Sequence, residues 1–270
     1  MEYFIIANEE AIRLAAFAGL LALFALAEAL WPRRARVQRR TGRWVTNLAI
    51  SLINTAALRV AVPVLAVGTA AWAAAAQIGL LNVIEAPYWL RFVIALAALD
   101  LVIYWQHRVF HVVPALWRIH RMHHADRDID VTTALRFHPV EILISMGIKI
   151  AAVVALGAPP AAVILFEVVL NGIAMFNHAN LGIAPALDRV LRAVIVTPDM
   201  HRVHHSVIPG ETNSNYGFNL SLWDRLFGSY TPQPAKGHDR MTIGLAEFQD
   251  DRPGRLGFAL WLPFMRNARP

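Results

Sequence analysis

Residues 107–124 read HRVFHVVPALWRIHRMHH, which puts five histidines into eighteen positions. His107 and His111 stand four apart, so on a helix they share a face one turn apart. His120, His123 and His124 have the i, i+3, i+4 spacing and again share a face. A second cluster, HRVHH, repeats that spacing with His201, His204 and His205. Eight of the chain's 11 histidines fall in these three boxes. Each box is expected to offer two or three imidazoles to a common point. Eight nitrogen donors are too many for one metal ion and fit two, with about four to six ligands each. A single HxxxH pair carries little weight, whereas three boxes on one membrane face point to metal.

The composition says where such a site sits. The chain is 57% apolar and only 16% charged, so it reads as a polytopic membrane protein rather than a soluble domain. Its net charge of +6 comes from Lys and Arg gathered in short stretches between apolar runs, the pattern that sets membrane topology. The basic residues neither form one face nor alternate with stacking aromatics, so no nucleic-acid partner is expected. There are no cysteines, which excludes disulfides, thiolate zinc sites, iron–sulfur clusters and cysteine nucleophiles. The acidic start MEYFIIANEE lacks the basic region of a cleaved signal, so the first apolar run is expected to be a retained anchor.

That first run, residues 11–30, is long enough to cross a bilayer as a helix. The Arg-rich loop WPRRARVQRRTGRW at 31–44 follows and is expected on the cytoplasmic side, with the N-terminus outside. A second run spans about 45–67, interrupted by Arg59 and open to a kink at Pro63. Residues 69–84 either extend that helix or lie in the outer interface. A third run, 88–106, passes directly into HRVFH. Runs at 140–157 and 161–177, joined by the turn signal GAPP, predict a hairpin that leaves the cytoplasmic face and returns to it. Both histidine clusters then share that face, by a topology derived from Arg and Lys alone. Residues 183–196 set Leu187, Val190, Leu191 and Val194 apart from Asp188, Arg189 and Arg192, which suits an interfacial amphipathic helix.

The expected fold is therefore all-α: an integral membrane helical bundle of about four to five spanning helices, with a cytoplasmic helical cap over a histidine-rich di-metal site. The chain divides into anchor helices at 1–85, a catalytic domain at 86–232 and a cytoplasmic tail at 233–270. Lys149 and Glu167 are nearly equidistant from the hairpin turn, and lone intramembrane charges are costly, so a structural Lys149–Glu167 pair is predicted. Asp100, seven residues before His107, either lines the site or pairs with another polar group. Asp128, Asp130, Asp199, Asn177 and Asn180 are candidates for orienting the imidazoles. His238 lies outside every motif and is expected at the surface.

HRVFH, HRMHH and HRVHH resemble the histidine boxes of the fatty acid hydroxylase/sterol desaturase superfamily. RFHPVE at 136–141, FNHAN at 176–180, TPDMHRVHHS at 197–206 and SNYGFNLSLWDRLFGSY at 214–230 extend the likeness over roughly residues 90–232. The resemblance implies a membrane-bound, non-haem di-iron oxygenase. Two ferrous ions would use O2 to hydroxylate or desaturate a C–H bond of a lipid. It also implies that His178 and His138 join the eight box histidines as ligands, His138 either directly or as a supporting group. The family's further box is represented here by His178 alone, with Gly182 four residues on.

The alternatives are a di-zinc membrane hydrolase and a non-enzymatic metal-binding membrane protein. A transporter would hold its ligands at mid-membrane rather than at helix ends. An apolar lipid entering from the bilayer fits a site capping the spanning helices. No HPGG-type haem motif is present, so electrons are expected from a separate reductase, ferredoxin or cytochrome. Arg118, Arg121 and Arg127 are candidate contacts for an acidic donor or for lipid headgroups.

Overall fold

The computed structural model describes residues 2–265. Met1 and the last five residues of the expected 233–270 tail lie outside the described residues. Among those described there are helices and isolated bridges but no strands, as the apolar runs predict. The helices that carry the fold are α1 (Glu2–Ala7), α2 (Glu9–Leu30), α3 (Arg40–Ala61), α4 (Ala66–Ala75), α5 (Leu80–Val83) and α6 (Tyr88–Val112). They continue with α7 (Pro114–His124), α8 (Pro139–Leu156), α9 (Pro160–His178), α10 (Pro185–Leu191) and α11 (Pro198–His204). Short helical turns complete the C-terminal segment. Among the described residues five segments are long and apolar enough to cross a membrane: α2, the stretch Arg40–Val83, α6, α8 and α9.

Proline decides where α7 to α11 begin. Each of α7 to α11 carries Pro at its first positions, where the missing N–H costs nothing and the fixed φ suits a helix start. Val113, just before Pro114, sits in extended backbone at φ −86°, ψ 115°, so α6 stops and the chain turns into α7. Pro63 acts in the same way after α3. Residues 69–84 therefore do not extend that helix. They form the short α4, packed on α8 and α9 through fully buried Ala66, Ala70 and Ala73, and then the single turn α5. Small residues allow this close approach. It is closest at Gly79 (φ +98°), where an added Cβ would meet the Gly157 nitrogen at 2.2 Å.

The Arg-rich loop docks on the segment that carries the histidines. The Arg33 Nε donates to Asp199 Oδ2 at 3.3 Å, and the Arg34 N–H to Asn180 Oδ1 at 3.1 Å. Asp128 accepts from the Val37 and Gln38 N–H groups. The basic loop and both histidine clusters thus lie at one end of the bundle. The predicted pair within the α8–α9 hairpin is present, with Lys149 Nζ 2.7 Å from Glu167 Oε1. A third partner was not foreseen: Arg13 of α2, whose Nη1 is 3.0 Å from Glu167 Oε2.

Around α10 the apolar side chains Leu187, Val190 and Val194 are exposed, while Asp188 and Arg192 turn inward and pair at 2.5 Å. That is the expected amphipathic segment, with its apolar face outward. The C-terminal segment packs beneath α7. Leu245, Phe248, Ala259 and Leu262 form one buried cluster with Trp117 and Met122. Arg121 is fully buried there and donates from Nη2 to the Leu262 carbonyl at 2.6 Å and the Met265 carbonyl at 2.7 Å. It is a strut, not a docking contact. His238 is likewise buried rather than at the surface, with Nε2 3.7 Å from the Asp199 carboxylate.

Candidate metal centre

Nine of the ten histidines singled out from the sequence meet in two buried groups. One is His107, His111, His120, His124 and His204; the other is His123, His178, His201 and His205. Within each group one ring nitrogen per residue lies within 4.8 Å of all the others. The boxes do not each serve one point, as the spacing suggested. In HRMHH the i, i+4 pair His120 and His124 faces the first group and His123 the second. In HRVHH the i, i+4 pair His201 and His205 faces the second group and His204 the first. Residues four apart differ by about 40° around a helix and those one apart by about 100°, so one helix wedged between two centres divides its box this way. His205 follows the last residue of α11 and keeps its place as that helix's C-cap. The two groups share a wall, with the rings of His124 and His205 stacked at 4.5 Å.

His138 stands outside both groups. Its Nδ1 accepts from the Val140 N–H at 3.2 Å, so it caps the N-terminus of α8 rather than facing the other imidazoles.

The outer nitrogens are held so that the inner ones point to the centres. The Nδ1 atoms of His107, His204 and His178 donate to the carbonyls of Tyr216 (2.8 Å), Ser214 (2.7 Å) and Ala174 (2.7 Å). A carbonyl only accepts, so Nδ1 carries the proton and Nε2 keeps its lone pair. His120 Nδ1 meets Glu141 Oε1 at 2.7 Å and His111 Nδ1 meets Asn213 Oδ1 at 3.3 Å, with the same consequence. In the first group the Nε2 atoms of His107, His111, His120 and His204 are buried without a partner, and His124 is unpartnered at both nitrogens.

In the second group the Nε2 atoms of His178 and His123, and of His178 and His201, are 3.1 and 3.0 Å apart, and those of His205 and His201 are 3.3 Å apart. Nitrogens about 2.0–2.1 Å from a shared ion lie about 2.9 Å apart at a right angle and about 3.4 Å apart at the tetrahedral angle. The observed spacings fall between these limits. Burial, and then repulsion among neighbouring imidazoles, pushes His123, His124, His201 and His205 well below the usual histidine range. Burial likewise brings His204 down to about 3. Neutral imidazole is the ligating form, so the donor set fits a pair of cations.

Sequence reasoning missed the groups that hold the rings. Glu141 lies in the quoted RFHPVE motif without a role assigned to it. Ser214 and Tyr216 act through backbone carbonyls, which leave no side-chain signal. Their loop is tied down by Asp224, which accepts the Tyr216 N–H at 2.7 Å, the Gly217 N–H at 2.8 Å and the Ser229 hydroxyl at 2.7 Å. The foreseen acids have other partners. Asp100 accepts from Trp223 Nε1 at 2.8 Å and clamps the same loop onto α6. Asp130 pairs with Arg43, and Asn177 donates to the Phe218 carbonyl. Replacing Glu141 by leucine removes the acceptor that fixes His120. The first group should then bind metal about 10–100-fold more weakly while the second is spared. Metal titration of the purified variant reads this directly, and equal weakening at both groups would refute the assignment.

A cavity of about 340 Å³ abuts the first group, with His107 and His120 in its wall. One face each of α3, α6, α8 and α9 lines it.

Fold and site together define a multi-pass helical membrane protein with a paired, all-histidine centre able to hold metal. A family model described as fatty acid hydroxylase matches residues 92–229, and the chain belongs to that family, which makes it an oxidoreductase. It is 28% identical to an ornithine lipid hydroxylase of Rhizobium tropici over 94% of this chain and 76% of that protein. It is 33% identical to an alkylglycerol monooxygenase of Xenopus tropicalis over 55% of this chain, and 31% identical to the human one over 53%. In each of those two the match covers 31% of the relative's length. No solved structure matches.

Proposed function

We propose that the protein is a di-iron lipid monooxygenase whose two ions are held by the nine converged histidines, five on one and four on the other. The observation that carries this reading is the set of inward-facing, unpartnered Nε2 atoms beside a cavity within the bundle. Bound iron would supply O2 activation and removal of hydrogen from an unactivated C–H bond. The chain's own residues do the rest. Carbonyls and Glu141 fix the imidazole tautomers. Five histidines would hold one ion and four the other. Burial of all nine rings keeps bulk water from the oxidant. The cavity presents one carbon of the substrate beside His107 and His120.

Hydroxylation rather than desaturation is favoured by the relatives' names, a lipid hydroxylase and a monooxygenase. The shared end of the Arg-rich loop and the centre supports a cytoplasmic site by the positive-inside rule. Electrons come from a separate donor docking there. The test is metal analysis of the purified protein with turnover on membrane lipid extracts. Two irons per chain and a product gaining one oxygen from 18O2 are expected. Two zincs with oxygen-independent hydrolysis would overturn the reading.

A further inference from the structure

The cavity is not the greasy slot that a bare hydrocarbon would select. Its end at the metal centre is formed by His107, His120 and Glu141, and its far end by Arg13, Lys149 and Glu167. Glu141, Ser145 and Lys149 recur every fourth residue along α8, so they line one face of that helix from one end of the cavity to the other. The eight residues from Glu141 to Lys149 span about 12 Å. Between the two ends the wall carries Ser51, Asn54, Gln106 and Asn171 besides its apolar residues.

At the far end two cations share one carboxylate. Lys149 Nζ is 2.7 Å and Arg13 Nη1 3.0 Å from the two oxygens of Glu167, whose side chain is only 4% exposed. Glu9, the next acid, is 4.0 Å from Arg13 and does not line the cavity. At this end the cavity wall therefore carries two cations and one carboxylate, while Glu141 lies at the other end. The Lys149 ammonium has three donors and the guanidinium five, and Glu167 offers only two oxygens to both. Charges within a bundle are costly and mark function unless wholly neutralised. A structural pair needs only Lys149 and Glu167; the third member comes from a different helix and also lines the cavity.

Resting on the reading of the centre as an oxygenase, we propose that Arg13 and Lys149 form an anchor for an anionic oxygen group of the lipid substrate, a carboxylate or a phosphate. Glu167 holds the two cations apart and aims them into the cavity. The anchor fixes the substrate's charged group about 12 Å from the His120 end of the cavity. The substrate is thus an acidic or zwitterionic amphiphile, and the acceptor carbon is set by its distance from that charge. Arg13 and Lys149 are positioning residues and make no contact with the reacting oxygen.

The test uses the full-length iron-loaded protein in neutral lipid nanodiscs, with Arg13→Gln and Lys149→Met. Three probes are titrated: a phosphatidate, an N-acyl amino acid and a diacylglycerol. Wild type should bind at least one of the anionic probes about ten-fold or more tightly than the neutral one. Each variant should lose most of that preference while its iron content stays within error of wild type. Preference for phosphatidate names phosphate as the recognised group, and preference for the N-acyl amino acid names carboxylate. No preference in wild type, or equal weakening of all three probes, overturns the anchor. Iron content and 18O incorporation into a turned-over lipid are read on the same samples, so loss of the oxygenase reading shows separately. If a variant fails to fold, the paired Lys149→Met, Glu167→Leu protein removes both buried charges. It should restore stability but not the preference; restored preference also overturns the anchor.

Discussion

If the nine histidines hold two irons as proposed, replacing His124 by alanine should cost the protein one of them and essentially all of its turnover. His124 is 1% exposed and neither ring nitrogen has a partner within the chain, so the imidazole has no structural bond to lose. Metal sites of four protein donors bind with about 10–16 kcal/mol, roughly 3 kcal/mol per donor. Loss of one donor of five then weakens the first ion by about 100-fold. Under a mild chelator the variant should hold one iron, in the His123, His178, His201, His205 group, against an expected two in wild type. Activity that needs both ions falls with it. His138→Ala is the matched control. It removes an N-cap of α8, at about 1 kcal/mol of stability, and should keep both irons. A His124→Ala protein with two tightly held irons, or a His138→Ala protein with one, would refute the nine-histidine assignment.

Helical spacing made the donors readable because it is local. HRVFH, HRMHH and HRVHH declare a face within five residues, and five apolar runs bring those faces to one end of the bundle. Lys149 and Glu167 were readable for the same reason, since a tight hairpin maps sequence distance onto depth. How each box divides between two centres was not readable. That depends on where α7 and α11 sit relative to both ions, and tertiary packing fixes this. The groups that orient the rings were hidden for another reason. Tyr216 lies 109 residues from His107, and it acts through a carbonyl that any residue would supply. Arg13 lies beyond the region of family likeness and joins Glu167 only because α2 packs on α9. One missed signal was local: in RFHPVE, the proline after His138 marks a helix start, which makes His138 a capping residue.

Arg43→Met should be strongly destabilising although it lies outside the centre. Arg43 is 2% exposed and lies between two buried carboxylates. Its Nε and Nη2 hold Asp126 at 2.6 and 2.8 Å, and Nη1 holds Asp130 at 2.7 Å. The same guanidinium donates to the Asp128 carbonyl. These contacts pin α3 to the segment that leaves α7 two residues after His124. Removing the cation strands two buried carboxylates, at about 3–5 kcal/mol, which is about 10 °C in melting temperature for a domain of this size. Burial alone would raise the Asp126 carboxyl, but Arg43 outweighs it and holds the group at about 2. That lies below the ordinary aspartate value, so the stabilisation is complete above about pH 4 and is lost as pH falls toward 2. In the variant, burial is opposed only by the nearby Arg136 charge and the Thr133 hydroxyl, so Asp126 protonates at higher pH. The stability gap between variant and wild type should therefore be widest at neutral pH and narrow on acidification. Histidine protonation affects both proteins alike and drops out of that difference. Adding Asp126→Asn to Arg43→Met should recover part of the loss at pH 7, because one stranded charge is gone. A gap that stays constant with pH, together with no recovery in the double variant, would mean that Arg43 acts through packing of its stem rather than through the charges it joins.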